Sequence, residues 1–228
     1  MNEHTKLITI ALKGIMRLAM IIQCDFDGTI TEDDVSFILL DAFAQGDWRR
    51  LFQQYREHKI TVGEFNAKAF AMVKVGREKL LEVARGRVKL RAGLNELVAY
   101  CRSRGFRFVI VSNGLDFYIK SILKDVGLGD IEVYAAQARF HPGGLKVQYI
   151  GPAGTPLSSD FKVAYTTAFL KQGYRVVYVG NGPSDISPAA QAHYVFARDG
   201  LLDCCRGTNL KCKPFDDLND VVRGLESL

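Results

Sequence analysis

The apolar run Leu18–Cys24 stops abruptly at Asp25-Phe26-Asp27-Gly28-Thr29-Ile30-Thr31. Such a run, with almost no polar interruption, reads as a strand buried on both faces. Two carboxylates two residues apart at its end point to the same side of an extended chain, about 6–7 Å apart at the backbone. Burying two like charges that close is costly unless a cation or a shared proton compensates. A divalent metal meets that need, and an all-oxygen site suits magnesium. Gly28 permits a sharp turn and close approach to a ligand, and Thr29 and Thr31 add hydroxyls. The bland use of two acids at a strand end is a turn with solvated carboxylates, but the whole seven-residue string is far more specific than a bare Asp-x-Asp.

Similar apolar runs recur at Phe106–Ser112, Ile131–Ala135, Tyr174–Gly180 and Tyr194–Ala197. Helical periodicity separates them at Ala92–Ser103, Leu115–Val126, Asp160–Lys171 and Asp185–Ala192. This alternation predicts an α/β fold, a Rossmann-like parallel sheet covered on both faces. Ligands of such sheets sit at the carboxyl ends of strands near a topological switch point. Between the first two strands the spacing predicts three or four short amphipathic helices, punctuated by Gly46 and Gly63. They read as a helical-bundle cap that closes over the site, or as ordinary helical decoration. The expected organisation is an N-terminal extension at 1–17, a core at 18–34 and 90–228, and the cap at 35–89. A Gly- and Pro-rich stretch from Arg139 to Ser159 carries a plausible hairpin, with extended runs around Arg139–Phe140 and Leu145–Ile150.

The 228 residues suffice for one large domain or a core with a small insert. A net charge of +5 is a mild excess, concentrated between Arg49 and Arg91. It reads as a solvated helical surface, with steering of an anionic substrate as the alternative. Nucleic acid is not expected as a partner, because no recognised binding motif accompanies the charge. Five cysteines in no scaffold pattern suit a reducing cytoplasm, and Cys204, Cys205 and Cys212 fit no standard zinc spacing. No run is long enough for a membrane span. Lys13 interrupts the only signal-like core, so secretion is not expected. Met16 and Met20 just before the first strand leave two readings of the leading segment, an accessory extension or a misplaced start.

Three further strings stand in a telling order: Val109-Ile-Val-Ser112-Asn113-Gly114, then Ser158-Ser-Asp-Phe-Lys162, then Val179-Gly180-Asn181-Gly182-Pro183-Ser184-Asp185. Ser112 ends a strand, and Asn113 and Gly114 are expected to open the next helix, where backbone amides favour an anion. Taken alone, Ser-Asn-Gly is equally a turn or a helix cap. Lys162 stands at the start of a helix, with Lys171 as its rival at that helix's end. Asp185 also reads as a cap of the helix that follows it.

Together with Asp25–Thr31, these strings resemble the four motifs of the haloacid dehalogenase (HAD) superfamily, from about Ile21 to the C-terminus. The helical insert after the first motif resembles the phosphoserine phosphatase type. The resemblance implies that Asp25 attacks phosphorus to form an aspartyl-phosphate. Asp27 then serves as general acid and base. Ser112 and Lys162 contact the phosphate, with Gly28, Asn113 and Gly114 lining its path. A magnesium ion is held by Asp25, the carbonyl of Asp27 and Asn181. Asp185 lies behind it, holding a metal-bound water or Lys162. Asn181 departs from the usual Asp, so one negative charge is lost and weaker metal binding is expected.

Asp25-Phe-Asp-Gly-Thr-Ile-Thr…Asp34 and the tail Ala197-Arg-Asp-Gly-Leu-Leu…Cys205-Arg…Pro214-Phe are similar to the methylthiopentenyl-phosphate phosphatase group of methionine salvage. In phosphoserine phosphatases an acid after the first motif binds the substrate amine, and Asp34 could stand there. A cap arginine clamps the carboxylate, and here Lys68 offers no planar fork. The expected partner is thus a small phosphorylated metabolite, with a homodimer left open. A phosphotransferase and a non-catalytic binding module are the alternatives on the same residues.

Overall fold

The computed structural model describes residues 19–141 and 143–228. The expected extension at 1–17 lies outside them. Eight strands form one sheet in the order β5-β4-β3-β2-β1-β6-β7-β8. β1 (Met20–Cys24) runs parallel between β2 (Arg107–Leu115) and β6 (Arg175–Gly180). β3 (Glu132–His141) pairs parallel with β2, β7 (Tyr194–Ala197) with β6, and β8 (Lys213–Pro214) with β7. Neighbours on both sides explain why β1 is apolar: Ile21, Ile22 and Cys24 are wholly buried. Its one polar side chain, Gln23, is satisfied by Thr166 and by the carbonyl of Lys162.

The parallel core matches expectation, and the sheet is longer than expected at one edge. β3 runs well beyond Ala135 and turns into β4 (Gly144–Ile150), which pairs antiparallel with β3 and then with β5 (Pro156–Leu157). The expected hairpin is therefore a continuation of the main sheet.

Four helices fill the insert on the way from β1 to β2. They are α1 (Val35–Phe43), α2 (Trp48–Arg56), α3 (Val62–Phe70) and α4 (Arg77–Arg87). Asp34 and Asp47 cap the first two by accepting from Phe37 N and Arg50 N. Thr61 and Glu64 form a reciprocal capping box on α3. Gly46 does separate α1 from α2, whereas Gly63 lies inside the first turn of α3, where the capping box overrides its breaking tendency. α3 packs on β4, and α4 packs on α6 (Asp116–Asp125). The chain leaves for the insert and returns from it side by side, through a Thr31–Leu90 bridge and a bond from Glu32 N to Lys89 O of 2.9 Å.

The remaining helices are α5 (Leu94–Ser103), α7 (Phe161–Lys171), the single turn α8 (Ile186–Ala189), α9 (Asp199–Thr208) and α10 (Leu218–Glu226). The sequence reading assigns no helix to the last two. α10 is stabilised by packing on α5 and by an Asp217–Asp220 capping box. Among the described residues no helix is long and apolar enough to cross a membrane.

Candidate active site

The carboxyl ends of β1, β2 and β6 converge below a cavity of about 1070 Å³. Strand order reverses around β1, so this is the switch point where α/β sheets bind ligands. Asp25 follows β1 directly, and its amide still bonds Val179 O across the sheet at 2.9 Å. Its Oδ1 accepts from Phe26 N at 2.8 Å, and its Oδ2 lies 2.8 Å from Lys162 Nζ. Lys162 also reaches Asp185 Oδ1 at 2.6 Å, and all three side chains are buried. The ammonium is placed from beneath, because Gln23 and Thr166 bind its own carbonyl in the first turn of α7. Lys171, at the end of α7, is exposed and takes no part.

Asp185 is saturated. Oδ1 accepts from Lys162 and Tyr178 OH, and Oδ2 accepts from the amides of Asn181 and Gly182, each at 2.9 Å. It therefore holds Lys162 and caps its own turn together, with no lone pair evidently left for a further water. Asp27 lies beside Asp25. Its Oδ1 accepts from Val35 N at 3.1 Å and its Oδ2 from Tyr118 OH at 2.6 Å. Tyr118 OH is in turn 2.9 Å from Ser36 Oγ.

Two glycines are dictated by this crowding. Gly28 has φ +74°, and a Cβ there would lie 2.3 Å from Asn181 Nδ2. A Cβ on Gly114 would lie 2.2 Å from Asp27 Oδ2 and 2.1 Å from Tyr118 OH. Asn113 and Gly114 do not open a helix as expected. β2 continues to Leu115 with an irregular register after Val111, and α6 begins only at Asp116. Ser112 Oγ accepts from Gly114 N at 3.0 Å, which leaves its own proton free to donate into the cavity.

Burial raises the Asp25 carboxyl to about 6 against the pull of Lys162. Burial and the neighbouring Asp34 push Asp27 well above the usual carboxylate range, and burial holds Asp34 at about 6. Among the described residues Lys162 is the only buried lysine or arginine. Four carboxylates, Asp25, Asp27, Asp34 and Asp185, thus meet one ammonium. This excess of negative charge fits a hard divalent cation. Among the described residues no three or more His, Cys, Asp or Glu side chains are placed to hold one metal ion together. Magnesium needs no such cage, since one or two carboxylates and the substrate's phosphate suffice. Asn181 is close at hand, its Oδ1 accepting from Thr29 Oγ1 at 3.0 Å.

The upper wall of the cavity comes from the insert: Phe37, Phe52, Tyr55 and Phe65 form one aromatic cluster with Trp48. Phe37 lines the cavity, but Phe70 is fully buried, and neither it nor Met72 reaches the lining. Lys68 is exposed and outside it, and Asp34 lines it while capping α1. The sequence reading missed a junction between insert and core. Asn66 on α3 donates to Asn113 O at 2.9 Å and to Tyr149 OH at 2.6 Å, and Tyr149 OH donates to Asn113 O at 2.7 Å. An inward-facing Asn between Phe65 and Phe70 was the one available sign of it.

Residues 22–190 match the haloacid dehalogenase-like hydrolase family. The chain belongs to that family. The chain is 30% identical over 219 residues to a 2-hydroxy-3-keto-5-methylthiopentenyl-1-phosphate phosphatase of Geobacillus kaustophilus, covering 93% of this chain and 98% of that one. A protein of the same name from Brevibacillus brevis is 28% identical over 218 residues, with the same coverage. The fold is similar to a substrate-bound phosphoserine phosphatase, with a TM-score of 0.68, 20% identity, and coverage of 90% of this chain and 97% of that one. Within the family the chain groups with the phosphatases.

Proposed function

We propose that this HAD hydrolase is a magnesium-dependent phosphomonoesterase of a small phosphorylated metabolite, acting through an aspartyl-phosphate. The observation that carries the reading is the pairing of buried Asp25 with half-buried Asp27 at the cavity floor, with Lys162 bonded to the first. Asp25 attacks phosphorus in line, and the bond to the leaving oxygen breaks. Asp27, whose hold on a proton is strengthened by desolvation and the neighbouring Asp34, gives that oxygen its proton. The resulting carboxylate then takes a proton from water, which attacks the aspartyl-phosphate, frees inorganic phosphate and restores Asp25. Ser112 and Lys162 bind the phosphate oxygens. Asp25, the Asp27 carbonyl and Asn181 would hold a magnesium ion, which would supply the charge neutralisation that an anion approaching an anion needs.

The helical insert at 35–89 acts as a cap that excludes water and reads the rest of the substrate. Its aromatic wall suits an apolar tail, and the relatives' names point to 2-hydroxy-3-keto-5-methylthiopentenyl-1-phosphate or a close analogue. Phosphoserine is disfavoured because Lys68, which stands in place of a cap arginine and lacks its planar fork, also lies outside the cavity. All five cysteines are free thiols, which fits a reducing cytoplasm.

The test is phosphate release with magnesium across methionine-salvage phosphates, phosphoserine, phosphocholine and sugar phosphates, with Asp25→Asn as control. Release is expected to fall by about 10⁴-fold or more in the variant. Turnover that survives Asp25→Asn would sink the reading.

A further inference from the structure

Arg91 holds the loop that follows the proposed nucleophile by four successive carbonyls. Its Nε donates to Thr29 O at 2.9 Å, and its Nη2 to Gly28 O at 3.2 Å and Thr31 O at 3.3 Å. Its backbone amide donates to Ile30 O at 2.8 Å. Four consecutive carbonyls, from Gly28 to Thr31, thus end on one residue 60 positions or more away. The remaining guanidinium nitrogen, Nη1, donates to Asp216 O at 3.2 Å, fastening the loop to the segment that leads into α10.

Arg91 also follows Leu90, which bridges Thr31 where the chain departs for the insert and returns from it. The same residue therefore touches the catalytic loop, both connections to the insert and the C-terminal segment. We infer that Arg91 is a positioning residue that sets the Asp27–Gly28 peptide relative to Asp25 and ties it to the base of the helical insert. This rests on the proposed phosphatase reading only for its effect on turnover, since the clamp itself is a property of the loop.

The chemistry demands an arginine. A planar guanidinium presents five donors in a rigid fork, whereas an ammonium is a point charge that cannot span three spread carbonyls. Freed of the fork, Gly28 at φ +74° has the conformational room to relax, and the adjoining Asp27 carbonyl turns with it. A misplacement of about 1 Å at a reacting group costs on the order of a hundredfold in rate.

The experiment compares wild type, Arg91→Lys and Arg91→Ala on p-nitrophenyl phosphate with magnesium. Hydrogen exchange of the peptide spanning residues 26–32 is measured alongside. Expected are a kcat lower by about tenfold to a hundredfold in both variants, a KM changed by less than about threefold, and faster exchange confined to that peptide. Added guanidinium at millimolar level is expected to restore turnover to Arg91→Ala, and methylammonium is not. Arg91→Lys keeps the charge and keeps the test open where the alanine variant fails to fold. Wild-type kcat and wild-type loop exchange in Arg91→Lys overturn the inference. So does a loss of rate that follows a global fall in Tm, with exchange raised everywhere. A wild type silent on the ester and on the whole panel of phosphorylated metabolites, with the loop still loosened in Arg91→Lys, refutes the phosphatase reading and leaves the clamp standing.

Discussion

The floor and the roof of the cavity are built on different physics. The floor is polar, buried and directional. Lys162 lies between Asp25 and Asp185, and Asp185 accepts four hydrogen bonds from partners on three segments. The roof is an aromatic cluster of Phe37, Trp48, Phe52, Tyr55 and Phe65, joined by tilted, edge and stacked contacts between 4.8 and 6.4 Å. Each such contact contributes about 0.5–1.5 kcal/mol and tolerates a change of angle. Among the described residues the polar ties from the insert to the core run from Val35 to Asp27, Ser36 to Tyr118, Asn66 to Asn113 and Tyr149, Thr61 to Ser158, Lys74 to Gly143, and Arg85 to Ser121 and Asp125. Phosphoryl transfer needs atoms held to fractions of an ångström, so the floor is overdetermined. Recognition of a substrate tail needs shape and dryness, so the roof can vary without disturbing the chemistry below.

Breaking the floor should have the largest effect. Lys162→Met leaves Asp25 and Asp185 buried without their cation, and the expected loss is about 3–5 kcal/mol in urea unfolding together with near-complete loss of turnover. A stable, active variant would mean that the carboxylates compensate one another. Phe52→Ala strikes the roof. It should raise KM for the natural substrate and cost up to about 3 kcal/mol, while kcat on p-nitrophenyl phosphate changes little. A collapse of kcat there would erase the distinction between the two regions.

Asn181→Asp sharpens the comparison from within the floor. It restores a negative oxygen at the proposed metal site, so the magnesium concentration for half-maximal activity should fall severalfold. An unchanged magnesium dependence would remove Asn181 from the metal's ligands. The smallest effect lies far from both regions, at the exposed pair of Arg107 and Glu132. Its hydrogen bond to Arg107 holds Glu132 below its ordinary value of 4.5. A depressed carboxyl stabilises the fold above the unfolded pKa and loses that stabilisation as pH falls through the folded one. Glu132→Gln should therefore cost about 0.5 kcal/mol at pH 7 and nothing near pH 3, read as a Tm difference that vanishes on acidification.

The sequence by itself determined the parallel core, the place of Asp25 and Asp27 just after β1, and that of Lys162 at the start of α7. Period and punctuation are local signals, and strand ends in an α/β sheet are where ligands bind. It did not determine the end of β2, because Ser112-Asn113-Gly114 satisfies a turn, a cap or a strand equally well, and pairing with β3 decides among them. Nor did it single out Tyr118, Asn66, Tyr149 or Arg91. Each acts across 36 or more residues through a hydrogen bond that has no periodicity to read. The α10 helix shows the same limit, since its burial against α5 comes from a contact that no local pattern encodes. Residue types and their order decide which chemistry is present. Only the folded chain decides which of those groups share a proton, a carbonyl or a charge, because those energies fall off within a few ångströms in space and take no account of distance along the chain.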